Sequence, residues 1–128
     1  MRRGAVALET AFVLPVAFLC LFGVMDWSWY MFQRVTVTTA AQRGARMAAG
    51  VPSTGDITGT ARTAATEWLL DHGIDGTAEV TTSRSTKSYG LVVTVDVELT
   101  FVPLTGLVPT PSQLHGRATA SWFGDFGS

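Results

Sequence analysis

The hydrophobic residues of this chain are concentrated at its N-terminal end. Residues 11–25 carry no charge, and residues 5–10 add one carboxylate, that of Glu9. The apolar stretch from Ala5 to Met25 is about as long as a helix must be to cross a lipid bilayer, which is about 20 residues. The pattern therefore predicts a membrane-spanning helix, and we assign residues 5–32 to the membrane and its interface.

A cleaved secretory signal is the alternative interpretation of this segment, because Arg2 and Arg3 precede the apolar run. Such a signal needs small residues at a cleavage site after its apolar core, and positions 22–26 instead carry the sequence FGVMD. A retained span is therefore favoured. The positive-inside rule then predicts a cytoplasmic N-terminus and an extracytoplasmic segment from 33 to 128.

Three aromatic residues follow the apolar run, namely Trp27, Trp29 and Tyr30. Amphipathic aromatic rings are enriched where a span meets the aqueous phase. We predict that these residues anchor the helix at the outer membrane interface. Packing within the extracytoplasmic domain is the alternative.

The helical pattern continues beyond the span. Positions 33–49 contain no proline and a single glycine, and Arg43 and Arg46 lie opposite an apolar stripe. This stripe consists of Val37, Ala41, Gly44, Ala45 and Ala48. We predict one helix from about Leu8 to Ala49, roughly 60 Å long, that serves as span and stalk. Its stripe is expected to pack on the protein's own sheet, with another subunit as the alternative partner.

A shorter second helix is predicted after a break at residues 51–55. Asp56 is the predicted N-cap, the helix runs to about His72, and Gly73 ends it. The predicted apolar stripe contains Ile57, Ala61, Ala64, Ala65 and Trp68, with Leu69 at its margin.

The remaining residues predict strands. Leu91–Phe101 alternates apolar and polar residues, and Ala78–Arg84 and Leu114–Phe123 are its predicted neighbours. Residues 85–90 would form a hairpin connection, and residues 103–111, with three prolines, a loop. The expected fold is α+β, in which a long N-terminal transmembrane and stalk helix and a second helix cover a three-stranded antiparallel sheet.

Composition and charge narrow the functional classes. The chain has 128 residues, enough for one domain, and its net charge of −1 gives no reason to expect a nucleic-acid partner. Its single cysteine, Cys20, lies in the apolar run. His72 is expected to interact with a helix dipole, and Asp96 and Glu98 are expected to be solvated beside Arg117. We predict no catalytic, cofactor or metal site, and the chain is not expected to be an enzyme.

A short motif precedes the apolar run. Arg2, Arg3 and Gly4 are followed by Ala5 and, four residues later, by Glu9. This arrangement resembles the class III, or prepilin, signal. The resemblance implies a leader of residues 1–4, cleavage between Gly4 and Ala5 by a prepilin peptidase, and Glu9 as fifth residue of the mature chain.

Glu9 has two interpretations. In a filament it would pair with the Ala5 amine of a neighbouring subunit and set subunit registration, since a carboxylate in apolar surroundings needs a cation. Alternatively, it is solvated near the lipid headgroups.

Three further segments extend the resemblance, namely LP at 14–15, FGVMD at 22–26 and AQRGARMA at 41–48. Together with the motif they resemble the N-terminal module of TadE-like proteins, the minor pilins or pseudopilins of Tad (Flp, type IVc) pili. Thr10 departs from the aromatic residue usual after the glutamate in Flp-type prepilins.

The resemblance implies a pilin-like fold and a structural subunit that takes part in assembly, priming or capping of a pilus. The implied partners are membrane lipid, other pilin or pseudopilin subunits, the Tad assembly machinery and the prepilin peptidase. The implied location is the inner membrane and the assembled pilus. The alternative is a single-pass, membrane-anchored envelope module that binds a partner and does not enter a pilus.

Overall fold

The computed structural model describes residues 2–75 and 77–123 of the chain. The elements are α1 (Arg2–Ala49), α2 (Ile57–Asp71), β1 (Glu79–Lys87), β2 (Gly90–Thr100) and β3 (Gln113–Ser121). The three strands form one antiparallel sheet in the order β1-β2-β3. The predicted α+β fold, with a long N-terminal helix, a second helix and a three-stranded sheet, is confirmed.

Helix α1 is continuous over 48 residues and passes through Pro15. At 1.5 Å per residue it is about 72 Å long. The predicted start near Leu8 was too late, because Arg and Ala, good helix formers, extend the helix back to Arg2. The predicted end at Ala49 is confirmed.

The second half of α1 forms the centre of the core. The predicted stripe of Val37, Ala41, Gly44, Ala45 and Ala48 is buried against α2, β2 and β3, while Arg43 and Arg46 are exposed. The prediction that the stripe packs within the protein is therefore confirmed. A methyl group added at Gly44 would lie 3.1 Å from the Ala61 carbonyl oxygen. Small residues thus allow α1 and α2 to approach closely.

Helix α2 has the predicted termini. The Asp56 carboxylate accepts a hydrogen bond from the Gly59 amide at 2.9 Å, and Gly73, just beyond the helix, has a φ of +70°. The prediction that Leu69 lies at the margin of the stripe was wrong. Leu69 is only 1% exposed, because the row of every fourth residue, Ala61, Ala65 and Leu69, is the row that faces the core.

The strand boundaries differ from the predicted ones. Strand β1 continues to Lys87, which pairs with Gly90, and the hairpin loop is reduced to Ser88 and Tyr89. The polar residues 85–87 look like a loop in the sequence. Their backbone groups nevertheless pair with β2, and this pairing does not depend on the side chains. Strand β3 lies at Gln113–Ser121, and the predicted loop precedes it.

Strand β2 runs in the opposite direction to α1. At its end, the ring of Phe101 meets Tyr30 edge-on at 5.3 Å between centroids. At its start, Leu91 accepts a hydrogen bond from Trp122, and the neighbouring Phe123 amide bonds to Ala49. The β2–β3 loop, residues 101–112, therefore lies at the end of the domain nearest the apolar half of α1. The β1–β2 hairpin lies at the other end.

Gly116 provides a test of the helix–sheet contact. A methyl group at this position would lie 2.7 Å from the Val37 carbonyl oxygen. We expect Gly116→Ala to cost about 1–3 kcal/mol by overpacking, which lowers the thermal midpoint by about 4 °C or more. Circular dichroism of the full chain in detergent measures this change. Gly4→Ala is the matched control, because its added methyl group would meet no atom within 4 Å beyond the adjacent residues and the nearby helix backbone. Equal midpoints for the two variants would contradict the expectation.

Candidate membrane anchor and assembly site

The first half of α1 exposes its apolar side chains. None of its most apolar stretch is buried by the rest of the described protein, and the helix is long and apolar enough to cross a membrane. The large exposed side chains include Val6, Leu8, Phe12, Val13, Val16, Leu19, Leu21 and Val24. Soluble proteins rarely expose a contiguous apolar surface of this size. The arrangement indicates membrane anchoring through α1.

The predicted processing and registration residues lie at the beginning of this helix. Gly4, Ala5 and Glu9 are all exposed. Among residues 4–75 and 77–123, no side chain forms an ion pair with Glu9. Thr10 donates its hydroxyl to the Val6 carbonyl at 2.9 Å, so this polar side chain is satisfied within the helix. Cleavage after Gly4 and a registration role for Glu9 stay predictions.

A buried carboxylate marks the end of the apolar run. The Asp26 side chain is fully buried, and it accepts two hydrogen bonds from Thr105 in the β2–β3 loop. The Thr105 amide lies 2.9 Å from Oδ1 and its hydroxyl 2.5 Å from Oδ2. Both carboxylate oxygens therefore have a donor, which is the condition for burying such a group at low cost.

The loop that supplies Thr105 is shaped for this contact. Gly106 has a φ of +68°, a left-handed conformation that glycine adopts without a Cβ penalty. A methyl group added at Gly23, one turn before Asp26, would lie 3.3 Å from Val108 Cγ2. The loop thus lies directly against α1 at the last turn of the apolar run.

In the sequence, Asp26 is the first charged residue after the apolar run, and nothing near it predicts a contact with Thr105. A signal was available. Asp26 is the only charged residue between Glu9 and Arg34, and a Thr-Gly pair stands in the middle of an uncharged loop. Their pairing could not be predicted, because the two residues are 79 positions apart in the chain.

The three predicted interface aromatics occupy different environments. Tyr30 is buried between Trp27 and Phe101, with edge-on contacts at 5.7 and 5.3 Å. Trp27 is exposed, and Trp29 is partly buried against the core. The structure therefore assigns Tyr30 a packing contact within the domain. The interface role of the three residues remains a prediction.

The outer face of the sheet carries an ion-pair cluster. Arg117 Nε lies 2.6 Å from Asp96 Oδ1, as the predicted partnership requires, and the carboxylate raises the pKa of Arg117. His115 Nδ1 lies 3.2 Å from Glu98 Oε1. The Arg117 side chain is 65% exposed, so this pair contributes little to stability.

His72 lies at the C-terminal cap of α2. Its Nδ1 is 2.8 Å from the Trp68 carbonyl oxygen, and its ring packs on the Trp68 ring. These contacts explain its position without a chemical role. Within residues 2–75 and 77–123, no group of three His, Cys, Asp or Glu side chains could hold a metal ion.

The fold and the exposed helix define a membrane-anchored α+β protein in which anchor and core share one helix. Residues 4–46, about a third of the chain, match the family model described as TadE-like protein. The match lies entirely within α1, and the resemblance to TadE-like proteins is confirmed over this segment. No curated protein and no solved structure matches the chain significantly. The helix and the family match fit a Tad-associated, membrane-anchored protein.

The Asp26–Thr105 contact generates a prediction about the loop. Asp26→Ala removes the charged acceptor for the Thr105 amide and hydroxyl, and a hydrogen bond to a charged group contributes about 1.5–3 kcal/mol. We expect amide hydrogen exchange at Thr105 to become about tenfold faster or more. Hydrogen exchange of the full chain in detergent measures it. Ser28→Ala, an exposed change on the same helix, is the control, and equal exchange in both variants would show that the contact does not hold the loop.

Proposed function

We propose that this protein is a minor pilin or pseudopilin that takes part in assembly, priming or capping of a Tad/Flp type IV pilus. It is inserted in the inner membrane with its N-terminus in the cytoplasm and residues 33–128 outside. Its partners are other pilin or pseudopilin subunits and the Tad assembly machinery. A prepilin peptidase removes residues 1–4.

One observation carries this proposal. The TadE-like segment, residues 4–46, lies within the single helix α1. The first half of this helix exposes its apolar side chains, and its second half forms the centre of the domain core. A subunit that leaves the bilayer to join a filament must move its anchor and its domain together. A continuous helix meets this requirement, since it has no flexible joint between the two parts.

The role is structural rather than catalytic. The polar residues that could have suggested chemistry have structural partners within the domain: Asp96 bonds to Arg117, His72 to Trp68, and Asp26 to Thr105. The length of 128 residues supports a minor rather than a major subunit, because the resemblance implies that Flp major pilins are very short.

Strand β1 supports a second candidate, a membrane-anchored envelope module that binds its partner without entering a pilus. Within the described ranges, β1 is paired on one side only, with β2. An exposed strand edge can bind an extended peptide by strand addition. Photocrosslinking from Thr81, exposed on β1, separates the candidates, since products with envelope proteins outside the pilus system favour the second one.

Processing gives the first test. In cells with an active prepilin peptidase, we expect the mature chain to begin at Ala5, and intact-mass measurement reads this directly. Cells without the peptidase should retain residues 1–4, as should a Gly4→Val variant with a branched side chain at the cleaved bond. A chain that still starts at Met1 in the peptidase-positive cells would contradict the proposed processing.

Glu9 gives the second test. Breaking a buried ion pair costs about 3–5 kcal/mol, so Glu9→Ala should weaken subunit assembly by about a hundredfold or more. Membrane insertion should be retained, because the substitution removes a charge from an apolar segment. Glu9→Gln keeps the side-chain size and should assemble equally poorly, while Leu8→Ala is the neighbouring control. Pilus counts by electron microscopy and fractionation measure the two effects; normal pilus output from Glu9→Ala would refute the registration role.

A further inference from the structure

The β2–β3 loop, residues 101–112, differs from the rest of the extracytoplasmic domain in its chemistry. It contains no Asp, Glu, Lys, Arg or His residue and includes three prolines. Its largest exposed side chains are apolar: Val102 is 70% exposed, Leu104 56% and Leu107 59%. Apolar side chains in a solvated loop lose the free energy that burial would supply. Their exposure is explained if an apolar environment or a partner surface covers these side chains.

The height of this loop along α1 is fixed by two contacts. Thr105 binds the Asp26 carboxylate, and Val108 lies against Gly23. Gly23 lies about 4–5 Å before Asp26 along the helix axis, within the apolar run. The loop therefore lies beside the outermost turn of the segment that is exposed and apolar enough to cross the membrane. Leu104 and Leu107, on either side of the Thr105–Gly106 pair, are exposed at this end of the domain.

We propose that the β2–β3 loop is a second membrane contact, in which Leu104, Leu107 and Val102 insert into the outer interfacial layer of the bilayer beside α1. The proposal rests on the membrane anchoring in the proposed function. Lipid is the occupant that the structure favours, because the loop contacts α1 in the turn from Gly23 to Asp26, where Val24 and Met25 also expose apolar side chains.

The backbone of the loop sets the depth of insertion. Irregular backbone is excluded from the hydrocarbon core, where unpaired N–H and C=O groups find no partner. The headgroup layer on each side of the core is about 5–8 Å thick and still holds water. Pro103, Pro109 and Pro111 have no N–H donor, and the Phe101 amide is bonded to Ser112 at 2.9 Å. This loop therefore suits the interfacial layer and not the core.

Contact at the loop would restrict how the domain is placed on the membrane. A single helix permits rotation about its axis and tilting, whereas a helix and a loop on one side of it define a preferred face. The opposite end of the domain, at Ser88 and Tyr89, follows the charged Lys87 and lies away from the bilayer. The β2–β3 loop and the β1–β2 hairpin can therefore be compared within one protein, one near the bilayer and the other away from it.

Spin-label accessibility tests the proposal in the full chain reconstituted in phosphatidylcholine–phosphatidylglycerol vesicles. Cys20, the single exposed cysteine, is first replaced by Cys20→Ala. Labels are then placed one at a time by Leu104→Cys, Leu107→Cys, Phe12→Cys and Tyr89→Cys. All four side chains are exposed, so these substitutions leave the core intact. Power-saturation measurements then compare how often each spin label collides with oxygen, which is enriched in lipid, and with a nickel chelate, which stays in water.

We expect the ratio of oxygen collisions to nickel-chelate collisions to be severalfold higher for the labels at Leu104 and Leu107 than for the label at Tyr89. Phe12 reports on the anchor alone. If the Phe12 label is lipid-exposed while both loop labels resemble Tyr89, the loop proposal is overturned and the anchoring stands. If the Phe12 label is itself water-exposed, the anchoring and the proposed function fail. Loop labels shielded from both reagents would indicate contact with a second protein and would also overturn the lipid contact.

Discussion

The structure depends on the close approach of α1 to the sheet and to α2. Glycine and alanine at the contact allow backbone atoms of different elements to lie near van der Waals distance, as at Gly44 beside Ala61 and Gly116 beside Val37. Contacts between backbones leave little room for sliding or rotation, in contrast to contacts between long side chains. The position of the helix relative to the sheet is fixed by this constraint.

A fixed helix has consequences for the other end of the domain. Because β2 runs antiparallel to α1, its last residues and the following loop are brought to the outer end of the apolar run. There Phe101 packs on Tyr30, and Thr105 binds Asp26. Three contacts thus hold α1 to the rest of the domain: the small-residue stripe in its second half, Tyr30 against Phe101, and Asp26 with Thr105. These three contacts join the apolar half of α1 to the domain.

The polar groups of the described residues support this structural interpretation. On the sheet surface, Arg117 pairs with Asp96, and at the end of α2, His72 bonds to the Trp68 carbonyl. Asp26 accepts hydrogen bonds from Thr105 in the β2–β3 loop. These three groups therefore have partners within the domain. Many of the large exposed apolar side chains lie on the first half of α1 and on the β2–β3 loop. These exposed apolar surfaces agree with membrane anchoring through α1.

The sequence by itself determined the elements and the anchor. A long uncharged run, a small-residue stripe ending at Ala48, a capping aspartate and strict alternation in β2 are local patterns, and each is decided by neighbouring residues. The strand ends were less predictable, since residues 85–87 pair through their backbone and carry no strand signal in their side chains.

Only the tertiary structure decided which distant residues meet. The burial of Asp26 depends on Thr105, which lies 79 residues further along the chain. The requirement for glycine at position 116 depends on the Val37 carbonyl, and the sequence around Gly116 gives no indication of it. The predicted processing and registration residues Gly4, Ala5 and Glu9 come from a local motif, whereas the place of the β2–β3 loop beside the end of the apolar run does not. Its position follows from the direction in which β2 crosses α1, and chain direction within a fold is set by packing rather than by local sequence.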